Sequence, residues 1–404
     1  MDYTDIVFDS RLAKPGTLFV AIPETGGKFI SDARAKGAAV ISFSAGAADT
    51  ARELLAYLSA KMFGFPANSM TLIGVTGTSG KTTVTTLAKQ VYELLTGEKA
   101  GLIGTVQNLI GDEELPAKNT TPESRELQEL LAQMRDKGCK AVFMEVSSHA
   151  LAMSRVYGLR FKVGVFNNIS HEHLDYHKTM DAYLAAKLKL FGMSEICIAG
   201  AEIEISTERK PLIRYDGSDN KRAVLEIFKA LGFNERDILT ALEKAKQPKG
   251  RSEIVPTPGK DYTVIIDYAH KPGALEFVLN KTRKDYPNRK LTVLFGCGGD
   301  RDAAKRPEMG RIASRLADFV IITSDNPRTE NPRSIIADIS RGADVSKTIT
   351  IENRSDAIKY ALDNAEPGAV ILLAGKGHED YQIIGREKLH LDEREIIKLH
   401  LRGK

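Results

Sequence analysis

The chain has 404 residues, 42% hydrophobic and 27% charged, which excludes whole-chain disorder and collagen-like classes and suggests two or three domains at roughly 150 residues each. Lysine and arginine number 57 against 53 acidic residues, a net charge of +4 with no massed basic run, so no nucleic-acid partner is expected. No run reaches the roughly 18 apolar residues of a membrane span, the opening MDYTDIVFDSR is acidic, and Cys139, Cys197 and Cys297 are too scattered for a disulfide framework or zinc cluster; a cytoplasmic protein is expected.

From Asp5 to about Ala67, short apolar runs (TLFVAI, AAVISF) alternate with turn signals and lead into a helical stretch ending at Phe63, a small α/β unit. At Met70 the strand-like run MTLIGV opens a new unit, followed by a glycine-rich turn and a helix from about Lys81 to Leu95. Further strand candidates (AGLIGTV, KAVFMEV, KVGVFNNI, SEICIAG) alternate with helical segments, as a mostly parallel sheet covered by helices requires. Near PKGRSEIV the rhythm restarts with YTVIIDYA, LTVLFGCGG, FVIITSDNP, KTITIE and AVILLAG, which reads as a doubly wound, Rossmann-like domain. The predicted boundaries are 1–68, 69–248 and 249–404 in an α/β chain of three domains.

Residues 71–83, TLIGVTGTSGKTT, bring a strand into Gly77, Thr78, Ser79, Gly80, Lys81, Thr82 and Thr83 as a helix begins. Backbone N–H groups in such a turn can cradle phosphates, Lys81 can reach the outer phosphates, and the Thr82 hydroxyl can sit on Mg²⁺. Val75 stands where the usual spacing wants glycine, so this is a variant phosphate loop, and a plain glycine turn is the competing reading. Glu145 ends an apolar strand in MEVSSHAL, where open α/β sheets meet ligands; an ordinary capping residue is the alternative. NNISHEHLDYH gathers His171, His173, Asp175 and His177 without a zinc-helix spacing, and Lys187 follows small residues in YLAAKLKLF, where a solvated lysine is the bland alternative. In the last domain DYAHKP, GCGGDRD, SDNPRTENP and AGKGHEDYQ each follow a predicted strand, implying one shared ligand crevice. Arg301, Asp325 and Arg328 suit a zwitterion carrying an extra carboxylate, against a surface salt-bridge network.

Taken in order, TGTSGKTT, NTTPES, EVSSHAL, NNISHEHLDYH, AAKLKLF, DYAHKP, GCGGDRD, DNPRTE and AGKGHEDYQ resemble the Mur ligases, from DSR at position 9 to the DEREII segment. The resemblance implies a small UDP-binding domain, a central P-loop-type ATPase domain and a C-terminal domain that brings in an amino acid. It implies an ATP-dependent amide ligase that adds meso-diaminopimelate to UDP-N-acetylmuramoyl-L-alanyl-D-glutamate (UDP-MurNAc-L-Ala-D-Glu) through an acyl phosphate, acting as a monomer with two Mg²⁺ ions. Lys81, Lys187, His173 and Glu145 take the catalytic positions, with Thr82, Glu145, His173 and a carbamylated Lys187 on metal. Gly77 to Thr83, Arg251 and Asp267 match ATP contacts; Ser10, Asn119, Thr120, Thr121, Ser147 and Arg155 match contacts to the UDP-sugar peptide. Arg301, Asp325, Asn326, Pro327, Arg328, Gly375 and Glu379 match the amino-acid site. Lysine-adding relatives resemble this pattern without the arginine of DNPR, because a terminal ammonium needs no guanidinium partner.

The chain departs from the family by compression. Only 63 residues separate Lys187 from Arg251, too few for the remaining strands and helices of the family's central domain, and Ala223 stands near the place of an adenine-side asparagine. Competing readings are a lysine-adding Mur ligase, a folylpolyglutamate synthase-like ligase, a catalytically impaired nucleotide-binding relative, or a P-loop NTPase driving motion.

Overall fold

The computed structural model describes residues 3–23, 26–204, 212–216 and 219–403. They form two compact units, Met1–Lys246 and Gln247–Lys404.

The first unit opens with a parallel three-stranded sheet, β1 (Asp5–Val7), β2 (Thr17–Ala21) and β3 (Ala39–Ser42). Every residue of β2 is buried because helices cover both faces of the central strand, so TLFVA needs no polar alternation. The helix Ala48–Met62 packs on this sheet and also on the helix Ser124–Asp136 of the next layer. An ion pair between Arg125 and Asp5 at 2.9 Å and a hydrogen bond from Arg135 to the Phe63 carbonyl at 3.0 Å join the two layers.

The larger sheet of this unit holds β4 (Thr71–Thr76), β5 (Ala100–Ile103), β6 (Asn108–Ile110), β7 (Glu113–Leu115), β8 (Ala141–Glu145), β9 (Phe161–Phe166), β10 (Ser194–Gly200) and β11 (Leu212–Tyr215). Their order is β11-β10-β9-β4-β8-β5-β6-β7, parallel as far as β5 and antiparallel beyond it. Strand periodicity of two sends Ile73, Val75, Ala141 and Phe143 to one core while Leu72, Val142 and Met144 enter the other, which is why these strands read as continuous apolar runs. The compressed stretch after Lys187 supplies β10, where SEICIAG reads as a strand, then β11 and two helices, Asn220–Ala230 and Glu235–Lys244. Gly217 and Ser218, part of the element read there, lie outside the described residues.

The second unit carries β12 (Glu253–Val255), β13 (Tyr262–Asp267), β14 (Leu291–Phe295), β15 (Phe319–Ile322), β16 (Thr348–Thr350) and β17 (Ala369–Ala374) in the order β12-β13-β17-β14-β15-β16. All neighbours run parallel except β12, which pairs antiparallel with β13. In β17 Val370 and Leu372 enter one core while Ile371 and Leu373 enter the other. An antiparallel hairpin, β18 (Tyr381–Ile384) and β19 (Glu387–His390), lies outside this sheet. The three cysteines are all buried, and no disulfide joins any of them. Among the described residues no helix is long and apolar enough to cross a membrane.

Candidate functional site

In the first unit the chain leaves β4 at Thr76 and turns through Gly77, with φ 153°, and Gly80, with φ 81°, into the helix Lys81–Thr96. Both values lie where a side chain is strained. Space forbids one at Gly80 as well, since an added Cβ would lie 2.1 Å from Asn167 Nδ2 and 2.3 Å from Asn220 Oδ1. The two amides hydrogen-bond each other at 3.1 Å, and Asn167 Nδ2 also donates to the Ser79 carbonyl at 3.0 Å. The Asn168 side chain accepts from Ser79 N–H at 2.9 Å. The loop is thus clamped from the ends of β9 and of the helix at Asn220. Val75, the departure from the usual glycine spacing, lies inside β4 with its backbone in register with Glu145 and Val165, and the turn starts two residues later.

Thr82, at the second position of that helix, donates to Glu145 Oε1 at 2.9 Å. Glu145 ends β8 and is 1% exposed. Its carboxylate also accepts from Thr105 N–H at 2.8 Å and from the Thr105 hydroxyl at 3.0 Å. Gly104 makes this approach possible, because a Cβ there would meet Oε1 at 2.5 Å. Thr105 and Thr120 hydroxyls lie 3.0 Å apart, and Thr121 donates to the Glu145 carbonyl at 2.8 Å. Ser147 N–H donates back to the Thr121 hydroxyl, Arg155 donates to the Thr121 carbonyl at 3.0 Å, and Arg155 is ion-paired with Glu123. Asn119, by contrast, is exposed.

Lys81 Nζ and Lys187 Nζ both donate to the Gly77 carbonyl at 2.8 Å. Lys187 is 2% exposed and its Nζ lies 4.6 Å from the centre of the Tyr183 ring. Burial first, and then the nearby Lys81 ammonium, hold the Lys187 amine well below the usual lysine range. Two cations held against one carbonyl in a dry site repel, so this position favours a group that is neutral or negative. Tyr183 itself meets the Thr78 hydroxyl at 3.2 Å and stacks near His177 and His173. His173 has φ 57°, lies 3.5 Å from Glu172 and packs edge-on against His149. His177 accepts or donates at Ser148 Oγ at 2.9 Å, and burial lowers its pKa. Among the described residues no three His, Cys, Asp or Glu side chains already form a metal-holding group. Ser10 is buried in the three-stranded layer, where its carbonyl accepts from Lys36 at 2.9 Å.

The second unit gathers its polar residues at the C-terminal ends of the adjacent strands β13, β17, β14 and β15. Asp325 and Asn326 are 6% and 5% exposed. Asn326 Nδ2 donates to Glu379 Oε2 at 3.0 Å, and a Cβ at Gly375 would lie 2.8 Å from Asp325 Oδ2. Arg328, with φ 53°, donates from Nη1 to the Gly299 carbonyl at 2.8 Å. A Cβ on Gly298 would stand 2.9 Å from that nitrogen and 3.9 Å from Arg301 Cγ, so glycine lets the two guanidinium chains share this corner. Arg301 is exposed. Pro327 faces Gly299, whose Cβ would strike its carbonyl. Arg251 stacks on the Tyr268 ring at 5.0 Å. Asp267 accepts from the Ser252 and Ala269 N–H groups, yet burial raises its pKa against the opposing pull of Arg251.

Sequence reasoning missed Asn167, Asn220, Thr105 and Tyr183 around the loop, and Lys376 beside Asp325. Asn220 was legible in DGSDNKRAV as the residue three before Ala223; Ala223 is fully buried in the apolar core behind the loop. Asn167, Tyr183 and Lys376 lie inside motifs read for other residues, and Thr105 follows a strand; parallel packing and, for Tyr183, the helix Met180–Gly192 bring them to the site.

Two family models match the chain: the Mur ligase middle domain over residues 75–241, and the Mur ligase, glutamate ligase domain over residues 250–377. A UDP-N-acetylmuramoyl-L-alanyl-D-glutamate–2,6-diaminopimelate ligase of Clostridium tetani is 40% identical, covering 98% of this chain and 94% of the relative. The enzyme of the same name from Caldanaerobacter subterraneus is 39% identical with the same coverage. Both alignments run over 461 positions, longer than the chain itself, so these relatives carry segments that it lacks. A solved structure of a ligase of that name superposes with a TM-score of 0.68 at 27% identity, covering 99% of this chain and 95% of that one. Folylpolyglutamate synthase of Mycobacterium tuberculosis shares the fold, with a TM-score of 0.61 at 15% identity, over 79% of this chain and 91% of that one.

Proposed function

The chain belongs to the Mur ligase family of ATP-dependent ligases in peptidoglycan synthesis, and from that premise we propose that it joins meso-diaminopimelate to UDP-MurNAc-L-Ala-D-Glu, releasing ADP and phosphate. The observation that carries this reading is the convergence on one buried carboxylate, Glu145, of the phosphate-loop hydroxyl Thr82 and, through Thr105, of the NTTPES threonine Thr120. The loop that would hold the phosphoryl donor and the loop that would hold its acceptor meet there.

A carboxylate is a poor electrophile at neutral pH, so amide formation needs activation. ATP, held by the N–H groups of Gly77 to Thr83, would pass its γ-phosphoryl to the D-Glu γ-carboxylate of the sugar peptide. Lys81 would neutralise charge on the transferring group. Thr120, Thr121, Ser147 and Arg155 would orient the acceptor, with Asn119 and Ser10 reaching other parts of the UDP-sugar peptide. The amine of diaminopimelate would then attack the acyl carbon, and phosphate would leave from the tetrahedral intermediate with one former carboxylate oxygen.

The oxygen donors of Thr82 and Glu145 suit a hard cation such as Mg²⁺, with His173 completing the set and Lys187 joining it as a carbamate. Bound Mg²⁺ supplies positive charge to the phosphate oxygens. The buried, charge-disfavoured Lys187 amine fits that modification, since the neutral amine is the form that takes up carbon dioxide. Arg251 and Asp267 are the second unit's candidate nucleotide contacts. For the incoming amino acid, Asp325 and Glu379 would present carboxylate oxygens to an ammonium, with Asn326 beside them holding Glu379, while Arg301 and Arg328 would present guanidinium groups to a distal carboxylate. Pro327 and Gly375 shape the backbone between them. A chain acting as a monomer in the cytoplasm, with the domain boundaries at 68 and 248, completes the proposal.

The chemistry is tested by labelling the D-Glu γ-carboxylate with oxygen-18 and analysing the phosphate released. One label in each phosphate formed is expected. Phosphate without label, alongside tripeptide formation, would overturn the acyl-phosphate route.

A further inference from the structure

Lys376 follows Gly375 at the end of β17 and is fully buried, although it is a lysine. Its Nζ donates to Asn326 Oδ1 at 2.8 Å and to Glu379 Oε2 at 3.1 Å, and lies 3.6 Å from Asp325 Oδ1. Asn326 Oδ1 also accepts from Ile383 N–H at 2.9 Å. With its oxygen held by two donors, the Asn326 amide can point only its Nδ2 at Glu379, as it does. Two carboxylates facing one buried corner repel each other, and the Lys376 ammonium stands between them.

Resting on the reading of this crevice as the amino-acid site, we propose that Lys376 is its positioning residue. The ammonium holds Asp325, Asn326 and Glu379 in one arrangement and leaves that face with a single net negative charge, matched to one ammonium group of the incoming amino acid. A buried lysine kept only for stability would be indifferent to which substrate is bound. A positioning lysine acts on one substrate alone.

The test is Lys376→Met in the full chain, which keeps the stem and removes the charge. Its KM for meso-diaminopimelate is expected to rise about tenfold or more, while the KM values for ATP and the UDP-sugar dipeptide stay within about twofold. Equal rises in all three constants, or no rise in any, would overturn the proposal. Should this variant fail to fold, Lys376→Gln, which retains a donor, takes its place under the same criteria; loss of fold in both assigns Lys376 to stability and also overturns the proposal. Wild-type protein is measured in parallel: if it does not consume diaminopimelate, the substrate reading itself fails, whatever the variants do.

Discussion

Lys187→Met is expected to lower kcat for ligation by about 10²- to 10³-fold with the fold intact, the loss typical of one preorganised charge at a transferring group. The native lysine is buried against the Gly77 carbonyl, beside Lys81. As an ammonium it would add a second positive charge to a site already served by Lys81 and would repel Mg²⁺. As a carbamate it would become an oxygen ligand of opposite sign, so one covalent change would reverse the local charge logic. Methionine fills the volume of the stem and takes up no carbon dioxide. Phosphate release measures the loss, and a carbamate carbon signal after incubation with carbon-13 bicarbonate, present in wild type and absent in the variant, assigns it. Undiminished turnover in Lys187→Met would remove the carbamate from the account.

Arg328→Ala carries the second large effect. Its guanidinium is fixed at Nη1 by the Gly299 carbonyl and sits in the corner opened by Gly298. Diaminopimelate differs from lysine by a carboxylate on its distal end, and a charge-assisted pair with that group is worth about 1.5 to 3 kcal/mol. The variant should lose about 10- to 100-fold in kcat/KM for diaminopimelate and little for L-lysine. Competition between the two amino acids reads the ratio directly. An unchanged ratio would place discrimination elsewhere in the crevice.

Most of the scaffold was legible because its strands are buried on both faces. Runs such as TLIGVT, AVFME and AVILLA have too little polarity for a half-exposed strand and too little length for a helix, and the alternation of such runs with helical segments implies a parallel sheet. What escaped was short, and mostly at or next to sheet edges. β6, β7 and β12 are three residues each, and β11, β18 and β19 four, so periodicity has almost nothing to act on.

The site divides along the same line. TGTSGKTT announces itself because glycine, lysine and hydroxyl residues stand at fixed spacing within one turn. Glu145 was suggested by its strand-end position, and the structure places it under Thr82 and Thr105. Asn167, Thr105 and Lys376 have no such grammar. Each is an ordinary polar residue after a strand until parallel packing sets it beside residues up to about 90 positions away, as with Asn167 and Ser79. Val75 shows the converse: a departure from the motif in sequence that costs the turn nothing, because the residue belongs to the strand.

The measurement that tests the central claim most directly is phosphate release from ATP in the presence of UDP-MurNAc-L-Ala-D-Glu, compared across meso-diaminopimelate, L-lysine and no amino acid. The account predicts release that requires diaminopimelate and is far slower with lysine. Release that proceeds equally without any amino acid would contradict it.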